Sequence, residues 1–506
     1  MVYYGALSKG CECCRRRKIK CDQRKPECLR CKKSGIQCPG YRNLDDILFR
    51  DESDRVIRKV RQSEQSNLVL MQETLATYRG SPTTSAPTSK SRAPTLSLLP
   101  LSISYPLSQP INELGANFFF TKYTFNHPPF SNDFHDWLTQ SYFDHGQSRV
   151  LRAAIEAVGM AGISNVSNAP HVASRSKVQY CEALAFMKKA LNDPVQAVAD
   201  TTLMAVILLG LFETVNFEAW DRNRPWEAHV KAATALLELR GQEQFTRERG
   251  GQLFIQIRAQ ILLACMQQHM PVPLSLVQTT RHFQTSLIKQ QWQKRSVASP
   301  GSICVISFRF VNLLAAIRNG EVTDPHAIRK EALDIDVDLN TWRATAPPSW
   351  GYATIDAPED AVGTSFDGKA HVYPSLWIAD AWSNWRTLRI LVNQIVVQIE
   401  AHSTVPDNKQ KAAALSVIHR LSTDLCISAP SFADSPHILS LILPLYLVSL
   451  EELNPHSVRS FAVEQLRHIN ATMGIRQAGL LADAVSKNLS VSPGTLSPCP
   501  AVLRFP

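Results

Sequence analysis

Six cysteines near the N-terminus have the type and spacing of metal ligands. The unit C-x2-C-x6-C occurs twice in succession, formed by Cys11, Cys14, Cys21, Cys28, Cys31 and Cys38. Paired thiolates with this spacing are the usual ligands of zinc. Two tetrahedral Zn²⁺ ions need eight ligand positions, so six thiolates suffice only if two of them bridge both ions. The duplication indicates that the bridging pair contains one cysteine from each half.

A cationic run, Arg15-Arg16-Arg17-Lys18-Ile19-Lys20, lies between the second and third of these cysteines. Residues 1–41 contain 11 Lys and Arg against three acidic residues, whereas the 43 basic and 41 acidic residues of the remaining chain nearly cancel. Positive charge concentrated on a metal module is the electrostatic pattern of nucleic-acid binding.

The stretch between the second and third cysteine of each unit must position these cations. Its length allows a short helix and then a turn to the next ligand, and the zinc ions supply folding energy that about 30 residues cannot obtain from a hydrophobic core. The first helix would carry Arg15–Lys20 and could enter a major groove. The matching stretch of the second half carries Lys32, Lys33 and Gly35. Lys and Arg can hold phosphates or donate to guanine O6 and N7.

The segment from Gly10-Cys11-Glu12-Cys13-Cys14 through Lys25-Pro26 to Cys38-Pro39-Gly40-Tyr41 resembles the Zn2Cys6 binuclear-cluster domain of fungal transcription factors. The resemblance implies two Zn²⁺ ions bridged by Cys11 and Cys28. It also implies that Arg17 and Lys18 read bases, typically in a CGG triplet. Phosphate contacts are then assigned to the other cations of the two stretches, Arg15, Arg16, Lys20, Lys32 and Lys33.

Cys13 departs from the pattern of that family, since it stands one residue before a ligand. We expect its side chain to point away from the cluster as a spectator. Two alternatives are that it competes as a ligand or that it is an oxidation site.

Other classes of protein fit the sequence less well. Disulfides in a secreted protein are disfavoured because the N-terminus has no signal-peptide apolar region. The longest apolar run, Leu203 to Phe212, is too short to span a membrane. No nucleophile elbow, zinc-protease helix, P-loop or dinucleotide fingerprint occurs. We therefore expect an intracellular protein that is not an enzyme.

Beyond the cysteines, composition predicts a division into domains. Residues 1–41 form the DNA-binding domain, and residues 42–79 form a charged, partly helical connector with no heptad repeat for a zipper. Ser, Thr and Pro dominate residues 80–112, which predicts a disordered, flexible linker. Residues 113–485 form a large all-α regulatory domain, and residues 486–506 form a loose tail.

The all-α prediction for the large domain depends on apolar residues that recur at helical spacing. Asp200-Thr201-Thr202 is expected to cap the helix Asp200–Glu213, and Trp377, Trp382 and Trp385 are expected in the core. The predicted helices are Ser148–Gly162, Ser176–Leu191, Asp200–Glu213, Pro225–Arg240, Gln252–Gln268, Ser302–Arg318, Tyr373–His402, Lys409–Thr423, Pro436–Leu450 and Val458–Thr472. Segments such as Leu208–Glu213 and Gly474–Ala478 resemble the regulatory domain of a large subgroup of the same fungal factors.

The sequence thus predicts a nuclear transcription regulator of RNA polymerase II genes, mainly α-helical, that binds double-stranded DNA through a two-zinc cluster. Expected partners are DNA, the transcription machinery and possible second copies of the chain, and a small-molecule effector is left open. Two alternatives stay open, namely a zinc-cluster regulator that acts only through protein contacts and a metabolite sensor whose helical domain has an unrecognised activity.

Overall fold

The computed structural model describes residues 11–17, 19, 21–22, 24, 27–38, 109–124, 133–144, 148–217, 226–294, 303–357, 365–403, 405–433 and 435–487. The chain divides into two compact units, Met1–Asp54 and Arg55–Pro506. The connector at 42–79, most of the linker at 80–112 and the tail from 488 onward lie outside the described residues, so their predicted character stays a prediction.

The described residues of the smaller unit form two short helices, α1 (Glu12–Arg16) and α2 (Leu29–Lys33). The larger unit is built from helices that vary from four to 27 residues. Its helices are α3 (Ile111–Lys122), α4 (Asp133–Phe143), α5 (Arg149–Val166), α6 (Pro170–Leu191), α7 (Pro194–Ala197), α8 (Asp200–Val215), α9 (Trp226–Arg240), α10 (Glu248–Gln268), α11 (Leu274–Gln284), α12 (Leu287–Lys294), α13 (Ile303–Arg318), α14 (Pro325–Ala344), α15 (Leu376–His402), α16 (Asn408–Ser428), α17 (Ile442–Leu450), α18 (His456–Met473) and α19 (Arg476–Ser486).

Short elements connect these helices. The described residues include four 3₁₀ segments, at Gln242–Thr246, Pro348–Trp350, Ala429–Phe432 and Pro436–Leu441. Between α14 and α15, strand β1 (Ala353–Asp356) pairs antiparallel with β2 (Lys369–Val372), with Ala353 opposite Val372. All residues of β1 are exposed, whereas Ala370 and His371 of β2 are buried, so β2 packs against the helical unit and β1 lies at its surface.

Helix α5 lies at the centre of one side of the large core and packs on α3, α6 and α8. Ser148 begins it by accepting a hydrogen bond from the Leu151 amide, which satisfies one of the unpaired N–H groups of the first turn. The crossing with α3 is very close, since a Cβ on Gly159 would overlap the Gly115 carbonyl. Small residues therefore set the distance between these two helices.

Every predicted helix corresponds to a helical segment, with ends that differ by a few residues. The predicted helix Pro436–Leu450 begins as a 3₁₀ turn and becomes α-helical at Ile442. The elements absent from the predicted helices are α3, α4, α7, α11, α12, α14, α19 and the β-hairpin.

Asp200 does not cap α8, contrary to the expectation from sequence. Ala199 occupies the cap position without a side-chain hydrogen bond. The Asp200 carboxylate instead accepts from Arg240 at 2.6 Å and from Arg247 at 2.8 Å. Two cations that approach from α9 and α10 attract the carboxylate more strongly than the first-turn amides of its own helix.

The three tryptophans predicted for the core of α15 are buried there, each at most 7% exposed. The Nε1 atoms of Trp382 and Trp385 donate to the carbonyls of Trp350 and Leu339 at 2.9 and 2.8 Å. Their polar atoms are thus satisfied inside the helical unit. Among the described residues, no helix combines the length and apolar character needed to span a membrane.

Candidate metal centre

The six predicted ligands lie together and form two groups of four thiols. One group contains Cys11, Cys14, Cys21 and Cys28, and the other contains Cys11, Cys28, Cys31 and Cys38. Within each group all sulfur atoms lie within 4.8 Å of one another. Cys11 and Cys28, one from each half of the repeat, belong to both groups.

The sulfur-to-sulfur distances fit tetrahedral zinc. A Zn–S bond of about 2.3 Å places two ligands of a tetrahedron about 3.8 Å apart. The Sγ atom of Cys11 lies 3.6 Å from that of Cys28 and 3.7 Å from that of Cys31, and the Sγ atoms of Cys14 and Cys28 are 3.7 Å apart. The donor set is all sulfur, which zinc prefers in structural sites.

The backbone holds the two bridging candidates in the same way in each half. The Cys14 amide donates to Cys11 Sγ at 3.5 Å, and the Cys31 amide donates to Cys28 Sγ at 3.3 Å. In both cases the donor is the third residue after the acceptor, at the first turn of a short helix. Such outer hydrogen bonds orient metal ligands and disperse their charge.

The duplicated sequence also produces a duplicated turn after each helix. Ile19 N donates to the Cys14 carbonyl at 3.0 Å, and Ile36 N donates to the Cys31 carbonyl at 3.1 Å. In the second half the turn passes through Gly35 with φ +64°, a backbone conformation that favours glycine. The repeat seen in the sequence is thus a structural repeat as well.

Because the sulfur atoms are buried close together, their thiolate forms are stable only with a cation between them. Desolvation by burial raises the pKa of the Cys14 thiol to about 12 and also raises the pKa values of Cys11 and Cys31. Thiolates this close repel one another unless positive charge lies between them. Two Zn²⁺ ions would supply that charge, and their binding would release the thiol protons.

The first helix differs from the prediction in its extent. We expected a helix that carries Arg15–Lys20, whereas α1 covers Glu12–Arg16 and Arg17 lies in the turn that follows. A longer helix would carry the chain past the position from which Cys21 reaches the cluster. Lys18, Lys20 and the side chain of Arg15 lie outside the described residues.

A basic surface surrounds the buried sulfurs. Lys32 forms an ion pair with Glu27 at 3.5 Å that is well exposed at both ends, so phosphate can compete for this lysine. Arg24 and Arg30 were not given a DNA contact from the sequence. Both are exposed, so they belong to the same basic surface. Within the described part of the cysteine module, the exposed basic residues are Arg16, Arg17, Arg24, Arg30, Lys32 and Lys33.

Cys13 does not point away from the cluster, contrary to the first expectation. It is 5% exposed and packs with the ligand cysteines. The first turn of α1 places consecutive residues Cys13 and Cys14 on the buried side because so small a module has little other interior.

Asp22 is a structural residue that the sequence analysis missed. Its carboxylate accepts a hydrogen bond from the Leu29 amide at 3.2 Å and so joins the end of the first half to the start of α2. Desolvation opposes ionisation, but backbone hydrogen bonds from Leu29 and Arg30 hold the pKa of Asp22 below its usual range. An acidic residue directly after the third ligand was the available signal.

Comparison with known families agrees with this geometry. Residues 9–46 match the fungal Zn(2)-Cys(6) binuclear cluster domain, and residues 117–474 match the fungal specific transcription factor domain. The chain belongs to this family of fungal transcription factors. Its cofactor is therefore the pair of zinc ions of the binuclear cluster, and its general role is the regulation of transcription.

Individual relatives are also transcriptional regulators by name, and most of them are similar to this chain over the cluster alone. White-opaque regulator 2 of Candida albicans is 50% identical over 38 residues, and transcriptional regulatory protein moc3 of Schizosaccharomyces pombe is 59% identical over 34 residues. The chain spans only 8% and 7% of their lengths. Transcription factor dbaG of Emericella nidulans is 22% identical over 379 residues, which cover 67% of this chain and 82% of that protein. No solved structure matches the chain.

Proposed function

We propose that this protein regulates RNA polymerase II genes in the nucleus by binding CGG-type triplets in the major groove of DNA. The observation that carries the proposal is the pair of four-thiol groups that share Cys11 and Cys28, beside exposed cations. In this account Cys11 and Cys28 bridge two zinc ions, and the other four cysteines complete the two tetrahedra. The zinc ions hold the two halves of the module together.

Each cation has a distinct role in the proposal. Arg17 and Lys18 follow α1 and donate to guanine O6 and N7, the commonest specific contact of a basic side chain. The contacts of Arg15, Arg16, Lys20, Lys32 and Lys33 with phosphates set the position of the module on the duplex without reading sequence. No catalytic activity is assigned to the helical unit.

The test is a fluorescence-anisotropy titration of the full chain with a CGG-containing duplex and with a duplex of the same composition in permuted order. Lys18→Ala should lose about 1–3 kcal/mol of binding free energy on the CGG duplex and much less on the permuted one. Lys33→Ala is the matched control. Loss of a phosphate contact should weaken binding to both duplexes equally and should reduce the salt dependence of binding.

Three outcomes would contradict the proposal. Equal losses for Lys18→Ala on both duplexes would remove its base-reading role. If zinc chelation left DNA binding unchanged, the cluster would have no part in DNA recognition. If the zinc-loaded chain did not bind DNA, the alternative of a regulator that acts through protein contacts would be favoured.

A further inference from the structure

A surface cavity of about 420 Å³ lies where strand β2 leads into helix α15. It is lined by residues 371–376 and by Ser431 of the neighbouring 3₁₀ segment. Its size lies within the range of small-molecule pockets, roughly 300–1,000 Å³. Among the described residues, the lining combines apolar side chains with hydroxyl and imidazole groups and includes no carboxylate.

The inner wall of the cavity is a hydrogen-bonded triangle of side chains. His371 Nδ1 lies 2.9 Å from Ser428 Oγ and 3.2 Å from Tyr373 Oη, and the two hydroxyl oxygens are 2.8 Å apart. The Ser428 hydroxyl donates to the carbonyl of Asp424 at 2.7 Å, so its oxygen is left to accept from the other two groups. The triangle fixes the orientations of the His371 and Tyr373 rings that line the cavity.

A buried arginine lies directly behind this wall. Arg386 is fully buried, donates from Nη1 to Tyr373 Oη at 2.9 Å, and stacks on the Tyr352 ring at 5.0 Å. Its Nε and Nη2 atoms have no hydrogen-bond acceptor among the described residues. The Asp424 carboxylate, itself partly exposed, is 3.9 Å from Nε and so offsets the charge only in part. A buried cation with so little compensation favours a nearby anion.

The protonation states around the cavity leave this positive charge in place at neutral pH. Burial and then the Arg386 charge lower the pKa of His371 to about 4, so the imidazole is neutral. Burial raises the pKa of Tyr373, which therefore keeps its proton. Helix α15, with 27 residues, begins at Leu376 on the cavity wall and adds the positive end of its dipole.

We propose that this cavity is a binding site for a small carboxylic acid with an apolar body. The carboxylate lies at the first turn of α15 beside the Ser375 hydroxyl, and the apolar body packs against Val372, Pro374 and Leu376. The site belongs to the helical unit and is independent of the DNA-reading role proposed for the cysteine module. A metabolite acid bound here would stabilise the hairpin, α15 and α16 together, since all three contribute to the site.

The experiment uses the zinc-loaded full chain at pH 7.5 and two probes of the same shape, benzoate and benzamide. Saturation-transfer NMR titrations measure both affinities. We expect benzoate to bind saturably and at least tenfold more tightly than uncharged benzamide. Val372→Trp, at a half-exposed position of the cavity wall, should fill the cavity and lower benzoate affinity at least tenfold. Val337→Trp, at an exposed position of α14 outside the cavity, should leave it unchanged.

A second variant tests the source of the charge preference. Arg386→Met keeps the buried apolar stem but removes the cation, and it should abolish the preference for benzoate over benzamide. The two tryptophan variants lie at the surface, so they decide the proposal even where Arg386→Met fails to fold. The proposal is overturned if benzoate does not bind, if both probes bind equally to the unaltered chain, or if Val372→Trp leaves benzoate affinity unchanged.

Discussion

At the scale of single residues, Cys28 and Cys13 hold different positions in one cluster although both are buried. Cys28 Sγ belongs to both four-thiol groups, whereas Cys13 belongs to neither. Cys13 is 5% exposed and packs among the ligand cysteines without belonging to a ligand group. A ligand shared by two metals and a packed non-ligand should respond very differently to the same substitution.

Replacement of Cys28 by serine should reduce the zinc content of the purified chain from two ions to one or none. Cys13→Ser is the matched control and should retain two ions, because Cys13 belongs to neither four-thiol group and serine has a similar volume. Metal analysis by mass spectrometry of the native protein counts the ions directly. Retention of both ions by Cys28→Ser, or loss of zinc from Cys13→Ser, would contradict the proposed ligand set.

Lys289 is a second residue with an unusual environment. It is fully buried on α12, and its Nζ atom has no hydrogen-bond partner among the described residues. Burial and then the Arg258 charge lower its pKa to about 7, while Cys304 acts weakly in the opposite direction. The unfolded chain, in which lysine has a pKa of about 10.4, therefore binds more protons than the folded chain between these values. The contribution of Lys289 to stability should rise with pH from about 7 to 10.

Lys289→Met should stabilise the protein by about 1 kcal/mol or more at pH 6, where the buried amine is charged, because one pKa unit corresponds to about 1.4 kcal/mol. The gain should shrink at pH 9.5, where the folded amine is already neutral. Thermal unfolding of the helical unit at both pH values measures the difference. Lys330→Met, at an exposed position of α14, is the control. A destabilised Lys289→Met, or a gain that grows with pH, would show that the amine has a partner.

At the scale of elements, Gly474 is the residue on which three helices meet. It ends α18 with φ +66°, and a Cβ there would lie 2.5 Å from the Gly162 carbonyl oxygen on α5. Asn165 Nδ2 donates to the Gly474 carbonyl and to the Val215 carbonyl at the end of α8, both at 2.8 Å. Both the positive φ and the close approach require glycine.

Gly474→Ala should therefore destabilise the helical unit through strain and overlap together. Gly320→Ala is the matched control, because its φ of +72° is similar but no heavy atom lies within 4 Å of the added Cβ. The control should cost about 1–2 kcal/mol from the backbone conformation alone. Gly474→Ala should cost about 1–3 kcal/mol more, the usual penalty of overpacking. Equal unfolding midpoints for the two variants would show that α5 moves away freely.

The elements also show which parts of the fold a sequence can predict. Long helices with clear apolar periodicity and a cap, such as α5 with Ser148, are accessible to pattern analysis. Strand β1 is not, since its four residues are all exposed and their alternation, Ala353-Thr354-Ile355-Asp356, is too short to distinguish a strand from a loop. Helix α14 had usable signals that were overlooked, because Asp324 caps it and Pro325 occupies its first position.

The candidate sites divide in the same way. Ligand identity in the cysteine cluster follows from spacing, because six thiols in a duplicated unit restrict the ways of holding two ions. The orientation of Cys13 does not follow, since it depends on which side of a five-residue helix faces the cluster. The cavity near Arg386 has no local signature at all, since Tyr352, His371 and Ser428 meet only through tertiary packing.

At the scale of the whole molecule, the two units carry different chemistry. Most of the excess positive charge belongs to residues 1–41, whereas the rest of the chain is nearly neutral. The match to the fungal regulatory domain covers residues 117–474. We therefore infer that the cysteine module contacts DNA and that the helical unit has the regulatory role.

Selection of binding sites from random double-stranded DNA tests the central claim most directly. The zinc-loaded full chain should enrich sequences that contain CGG triplets, and the spacing between triplets would also report whether one or two copies bind. The Cys28→Ser chain should enrich nothing above the starting pool. Enrichment of sequences without CGG, or equal enrichment by the two chains, would contradict the proposal that a two-zinc cluster reads this triplet.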